Sequence, residues 1–527
     1  MLNVLPRWFR KPSELLAWLQ PATAVEIRCF LAIASVTILL ATGIRGMTIT
    51  DWPIDFHLTR QYHGTNIARR IWLQTTGTEP GTAEHRWLEN QTRAIIEPPI
   101  VESLAAAGYY VSGQEMPWLG AAFTSLFWLA GGYFVFATGR HLSDGIFGGL
   151  LATAFYLLSP FGMVVSRSFQ PESLMVFAFT IAMWQAVRRP PLESLKNALT
   201  FGAIAGIAIL VKPGIVFLPL LGLVFLPILM ERGIHQVLST RSTYIVVGLM
   251  LVPSVLYVVL CLSHQLDSKL LPQLLLSSEF YTAWLVQVER TIGWVALLAA
   301  CLGGCLMAGQ KRNWSGLGLL AGYVAYAMFF TWHTMTHNYY QAPLVPIIAV
   351  CMSPLAELAR AGLKKYELVN WARAACAAVL VIAVLRFGLP SLKFVKSTEQ
   401  QQKREDIYRE IGQRVGNGNT VICLSEEYGL PLMHHGWIVT QWWPTAADLR
   451  HLAARGVEQE SSQMKLRKLI AEHRPSHFVI TNMAEFKRQE SLRELLNDQY
   501  EKLADTKDWV GFRLIRKAPT DAVSLLK

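Results

Sequence analysis

Long apolar runs recur from residue 29 to residue 385, and nothing else in this chain limits its fold so severely. They cover 29–44, 118–138, 145–165, 174–187, 198–211, 215–230, 244–262, 294–308, 317–330, 342–355 and 374–385. A helix needs about 20 apolar residues to cross a bilayer, which some runs supply alone and others with their flanks. About 11 transmembrane helices are expected. Composition agrees, with 52% hydrophobic and only 16% charged residues in 527, where a soluble domain carries roughly a quarter charged. A single soluble domain is excluded.

The chain has a formal net charge of +11, and its Lys and Arg residues collect in alternate short loops. Arg7, Arg10 and Lys11 precede the first run; Arg140, the Arg188, Arg189 and Lys196 group, and Arg232 with Arg241 follow. Lys311 with Arg312, then Arg360, Lys364, Lys365 and Arg373, complete the set. Cytoplasmic loops of membrane proteins carry this excess, so the expected N-terminus is cytoplasmic, and an odd number of spans puts the tail outside. This distribution argues against a nucleic-acid partner. The first run starts late and lacks a small-residue cleavage site, so it reads as a retained anchor. Of the 7 cysteines, only Cys423 lies in a polar region, and no disulfide framework is implied.

Two regions depart from the membrane pattern. The first outer loop, 45–117, contains segments 57–73 and 83–96 whose mixed spacing suits helices lying along the interface. The tail carries strand-like 421–424, 437–439 and 477–481 among helical stretches such as 458–473 and 483–497. The expected organisation is a transmembrane catalytic domain, 1–392, followed by a small extracytoplasmic α/β domain, 393–527.

Charge near a bilayer is costly and marks function. Asp51-Trp-Pro-Ile-Asp55-Phe-His57-Leu-Thr-Arg60 follows the first run and heads an interfacial segment. Asp55 there suits a general base that takes the proton of an acceptor hydroxyl or amine; the plain alternative is an N-cap of the helix. Glu97 precedes Pro98-Pro99, and Glu172 follows Pro171, where acids also start helices. Lys212 lies between two runs, able to snorkel or to bind a phosphate. His333 and His337 are four apart, and with Glu97 they can hold a divalent cation. In the tail, Glu426-Glu427-Tyr428 and Trp442-Trp443 suit either a sugar or acceptor surface or an aromatic core.

In their order these motifs resemble the polytopic C-type glycosyltransferases that use polyprenyl-phosphate sugars. The similar branch, glycosyltransferase family 39-like, contains the protein O-mannosyltransferases and the lipid A aminoarabinose transferase. The resemblance covers about the first 390 residues. It runs from the acid-bearing first loop through Glu97-Pro98-Pro99, Trp118-Leu-Gly, Ser166-Arg167 to Gln170-Pro171-Glu172 and Lys212-Pro213 to His337-Asn-Tyr339-Tyr340-Gln-Ala-Pro. It implies a mainly α-helical membrane fold and a catalytic aspartate in the first loop, carried to Asp55 or Asp51, with Glu172 at the second acidic position. The family's Asp-Glu at the head of the interfacial helix is replaced here by Arg60-Gln61. Candidates for the donor phosphate are Arg167, Lys212, Arg60, Tyr339 and Tyr340, and Glu97 with His337 are the candidates for a metal.

The expected reaction is transfer of a hexosyl or pentosyl group, with inversion, from a polyprenyl-phosphate donor to an extracytoplasmic lipid, glycan or protein, in the inner (plasma) membrane among its lipids. The competing class is a lipid or glycan transporter or flippase, whose signature is mid-span charge, inverted repeats and broken helices.

Overall fold

The computed structural model describes residues 24–46, 49, 56–262, 271–365, 399–454 and 458–516, less positions 92, 94 and 312. Asp51, Asp55 and the apolar run 374–385 lie outside the described residues. The chain forms two compact units, one drawn from residues 1–50, 96–101 and 121–395, the other from 51–95, 102–120 and 396–527.

The described residues of the first unit are mainly helical. Trp118–Ser143, Phe217–Ser239, Arg241–Cys261 and Asn338–Gly362 are each long and apolar enough to cross a membrane. Two bent pairs raise the number to six: Ile146–Leu158 with Pro160–Arg167, bent by 57°, and Ser278–Thr291 with Trp294–Gly309, bent by 91°. Phe30–Gly46, Leu195–Val211 and Ser315–Phe329 are shorter apolar helices. The run 174–187 falls in the helix Glu172–Arg188.

The run 145–165, expected as one span, is therefore broken. Pro160 has no N–H, so the Tyr156 carbonyl loses its helical donor. Trp128 Nε1 donates to that carbonyl at 3.2 Å, and Arg45 Nη2 donates to the next one, of Leu157, at 3.1 Å. Elsewhere in this unit helices approach through small residues, as lipid-immersed helices do. Phe217–Ser239 packs on Ser315–Phe329, where a Cβ on Gly222 or Gly318 would run into the other's carbonyl oxygen.

The second unit holds a five-stranded sheet in the order β2-β1-β3-β5-β4. The strands are β1 Thr420–Leu424, β2 Val439–Trp442, β3 His477–Ile480, β4 Tyr500–Asp505 and β5 Val510–Arg516. The first three are mutually parallel, and β5 is antiparallel to both β3 and β4. Strand alternation divides β1 between two cores. Ile422 and Leu424 meet Phe478, Leu466, Phe486 and Leu496, while Val421 and Cys423 meet Val479, Tyr408, Ile411 and Leu432. Helices thus cover both faces, as a parallel sheet requires.

Several expected boundaries shift for local reasons. The strand expected at 437–439 begins only at Val439, because Trp437 has φ 49° and caps the preceding helix Leu430–Gly436. The stretch 83–96 is helical only over Ala83–Glu89. The helix expected at 458–473 starts at Ser462, where Ser461 accepts from the Met464 N–H. The helix expected at 483–497 divides into Met483–Arg488 and Glu490–Gln499. Gln489 between them is drawn aside, accepting from Trp443 Nε1 and donating to the Pro444 carbonyl.

Candidate active site

Three connections in the helical unit meet around one ammonium group. Lys212 ends the helix Leu195–Val211, and Glu172 opens Glu172–Arg188 behind Pro171. The Lys212 side chain is 3% exposed and Glu172 is fully buried. Lys212 Nζ donates to Glu172 Oε1 and lies 3.7 Å from Glu97 Oε1. The rings of Tyr339 and Tyr340 close over the same nitrogen at 4.6 and 4.7 Å. A buried cation needs such partners, and at this burial Lys212 does not snorkel. Along the chain Lys212 has no acidic neighbour; in space it has two carboxyl groups.

A positive corner is built next to Glu172 in sequence. Arg45 lies in the last turn of the helix Ala24–Gly46 and is 1% exposed. Its Nε donates to Ser166 Oγ at 2.8 Å, and its other nitrogens donate to the Ala41 and Leu157 carbonyls. All three acceptors are neutral. Arg167 ends the short helix Pro160–Arg167 produced by the Pro160 break. Four residues separate Arg167 from Glu172, the carboxylate that has the Lys212 ammonium beside it.

The structure thus gathers Glu97, Glu172, Lys212, Tyr339 and Tyr340. His337 lies beside the two tyrosines, its ring 5.2 Å from Tyr339 and 6.1 Å from Tyr340, and its Nδ1 is 2.7 Å from Thr336 Oγ1. Arg60 belongs to the other unit, in the first turn of the helix Leu58–Thr76. The expectation that Asp55 caps this helix is corrected: the N-cap is His57, which forms no side-chain cap bond. The free Thr59 N–H is instead taken by Glu427 of the tail, at 3.2 Å.

In the tail, Trp443 is a core side chain, whereas Tyr428 meets Trp442 edge-on at 4.9 Å near the surface. Arg45 and Glu427 are the residues sequence reasoning undervalued. The only signal for Arg45 was a cation directly at the end of an apolar run; for Glu427 there was none beyond its place after a strand.

Residues 96–259 match the family model described as dolichyl-phosphate-mannose-protein mannosyltransferase. Among solved structures the chain is similar to ArnT from Cupriavidus metallidurans bound to undecaprenyl phosphate. The identity is 16% and the TM-score 0.54, over 95% of this chain and 100% of that one. The fold is that of the C-type glycosyltransferases. The resemblance read from the motifs is borne out at the level of fold. The oligosaccharyltransferase AglB from Archaeoglobus fulgidus, in complex with an inhibitory peptide and a dolichol-phosphate, matches at 10% identity and TM-score 0.57, over 95% of this chain and 76% of that one. An oligosaccharyltransferase from the same organism in complex with zinc and sulfate matches at 11% identity and TM-score 0.55, over 91% and 73%. No curated protein matches the chain in sequence.

The zinc in that C-type relative poses the question of a metal here. Among the described residues no group of three or more His, Cys, Asp or Glu is gathered for one. The cation beside Glu97 and Glu172 is the Lys212 ammonium.

Proposed function

We propose that the protein is a membrane glycosyltransferase that moves a hexosyl or pentosyl group from a polyprenyl-phosphate donor to an extracytoplasmic lipid, glycan or protein acceptor. The observation that carries this reading is a set of charged groups at helix ends within a C-type fold: Arg45 bonded to Ser166 next to Arg167 in the chain, and buried Glu172 beside the Lys212 ammonium. Departure of a lipid phosphate leaves negative charge, which fixed cations stabilise without reorganising.

In this reading Asp55 is the general base, with Asp51 the alternative. Its carboxylate takes the proton of an acceptor hydroxyl or amine as that oxygen or nitrogen bonds to the anomeric carbon. The bond from that carbon to the phosphate oxygen breaks, its electron pair stays on the lipid phosphate, and configuration inverts. Arg167 serves the phosphate, and Arg60, five residues beyond Asp55, is its second candidate. Lys212, held by Glu172 and Glu97, fixes the Glu172 carboxyl in place rather than binding donor. Glu172 can accept a hydrogen bond from a sugar or acceptor hydroxyl. The transferase would lie in the plasma membrane, its N-terminus cytoplasmic and its tail outside. The two bent helix pairs are a feature that the transporter alternative shares, but the charged groups at this site stand at helix ends and not in mid-span.

The test adds the purified protein to membranes of a deletion strain, which hold the accumulated lipid-linked sugar and the acceptor. Loss of general-base help slows turnover about 10²- to 10⁴-fold, and that is the expected effect of Asp55→Asn. Arg167→Ala should raise the donor concentration needed for half-maximal rate. No lipid-linked sugar accumulating in the deletion strain, or full activity of Asp55→Asn, Asp51→Asn and Glu172→Gln alike, would sink the reading.

A further inference from the structure

We propose that Glu427 of the tail is a positioning residue for the first-loop base, acting through the helix Leu58–Thr76; this rests on the assignment of that base to Asp55. Glu427 Oε2 accepts from both the backbone N–H and the hydroxyl of Thr59. It supplies the carboxylate cap that His57 does not, against the positive end of the helix dipole. The partners lie 368 residues apart in the chain, and both belong to the second compact unit.

The backbone that presents this carboxylate is unusual. Glu427 and Tyr428 have φ of 52° and 56°, and Gly429 follows at 73°. Two consecutive non-glycine residues in the left-handed region persist only where their surroundings over-determine them. Here three successive carbonyls are held by side chains. Arg93 Nη2 donates to Tyr428 O at 2.6 Å, Thr440 Oγ1 to Gly429 O at 3.2 Å and Asn66 Nδ2 to Leu430 O at 3.3 Å. Two of these donors, Arg93 and Asn66, come from the first loop.

The clamp continues along the helix. Thr59, Tyr62, Asn66 and Arg69 recur at spacings of three and four, so they form one stripe. Tyr62 OH meets His435 Nε2 at 2.9 Å, and Arg69 donates to the His434 carbonyl at 2.8 Å. The whole stripe is bound to tail residues 427–435. Asp55 stands four residues before Thr59, so the chain confines it to within about 14 Å of that clamped residue. Fixing the first turn of the helix therefore bears on a base joined to it by so short a stretch of chain. A structural cap would also stabilise the helix; a positioning role additionally requires turnover to depend on the clamp while donor binding does not.

The experiment uses the full-length protein in detergent, with deletion-strain membranes as donor and acceptor, and reads amide hydrogen exchange over residues 58–62 alongside turnover. Glu427→Ala should exchange faster there and turn over roughly 10- to 100-fold more slowly, as small misplacements of a reacting group do, with donor saturation unchanged within about twofold. Glu427→Gln keeps an acceptor oxygen and should retain most of the rate. Wild-type turnover in Glu427→Ala overturns the proposal. Equal loss in the Ala and Gln variants, accompanied by an earlier melting transition, overturns it too, in favour of a structural cap. Asp55→Asn reports separately on the underlying reading: full activity there removes the base assignment whatever the Glu427 variants do.

Discussion

Lys212 shows how much a single buried charge depends on its surroundings. Removing the ammonium leaves Glu172, fully buried, without its cationic neighbour. Losing one partner of a buried ion pair costs about 3–5 kcal/mol, whereas replacing both with apolar groups is often neutral. Lys212→Met should therefore lower the melting temperature of the detergent-purified protein sharply, and the added Glu172→Leu change should recover most of the loss. Activity should not return in the double variant, because Glu172 is gone from it. A double variant as unstable as the single one would show that the pair is not what burial of Glu172 depends on. Glu427 and Tyr428 belong to the same scale, each holding a left-handed conformation that costs about 1–2 kcal/mol.

At the scale of elements, the contact between the first-loop helix Leu58–Thr76 and the tail helix Leu430–Gly436 is built on two neutral histidines. Burial pushes the His434 imidazole well below its ordinary range, reinforced by the Arg69 guanidinium. Burial, with Arg409 and Arg69, pushes His435 down to about 3. Arg69 donates to His434 Nε2 at 3.2 Å, so Nδ1 carries the proton and faces Asn66 Oδ1 at 3.3 Å. Both folded values lie below the unfolded one of about 6.5, so the unfolded chain binds protons first as the pH falls. The stabilisation is complete above about pH 6.5 and declines toward pH 3, by at most about 1.4 kcal/mol per pH unit for each ring. Glu405, whose carboxyl is raised by burial, opposes this at the acid end. The expected result is a melting temperature of the second unit that falls between pH 7 and pH 5, with a flatter profile in His435→Gln. A profile equally steep in that variant would assign the dependence to other groups.

For the whole molecule, the decisive fact is which segments share a compact unit. Residues 51–95 and 102–120 of the first loop belong with the tail, 396–527. Segments that share one compact unit are expected on one side of a membrane, so an even number of crossings is expected between residue 120 and residue 396. The ten runs expected as spans from 118–138 to 374–385 would meet that condition. Phosphatase reporters fused after Gly81 and after Lys393 should therefore agree in activity, and a fusion after Lys364 should differ from both. The positive loops further predict that the agreeing pair is the active one. Opposite activities at Gly81 and Lys393 would break the parity, and a silent pair would invert the orientation.

Hydropathy alone revealed the membrane character and most of the apolar helices, because lipid forces each crossing segment to satisfy its own backbone and hide its polar groups. The strands β1 and β3 were also legible, being short apolar runs buried on both faces. β4 and β5 were not: each alternates with charged residues, and their pairing is decided by partners distant in the chain. The break at Pro160 was visible as a residue but not as a bend, since what makes it tolerable is Trp128 and Arg45 reaching the freed carbonyls. At the site, the sequence located Glu97, Glu172, Lys212, Tyr339 and Tyr340 as candidates. Only tertiary packing made one ammonium answer to two carboxylates and two rings, because charge pairing inside a helix bundle depends on which helix ends meet. The cap on Leu58–Thr76 is the extreme case, since local chemistry nominated Asp55, three residues ahead, while the folded chain supplied Glu427 through a left-handed turn that no sequence period encodes.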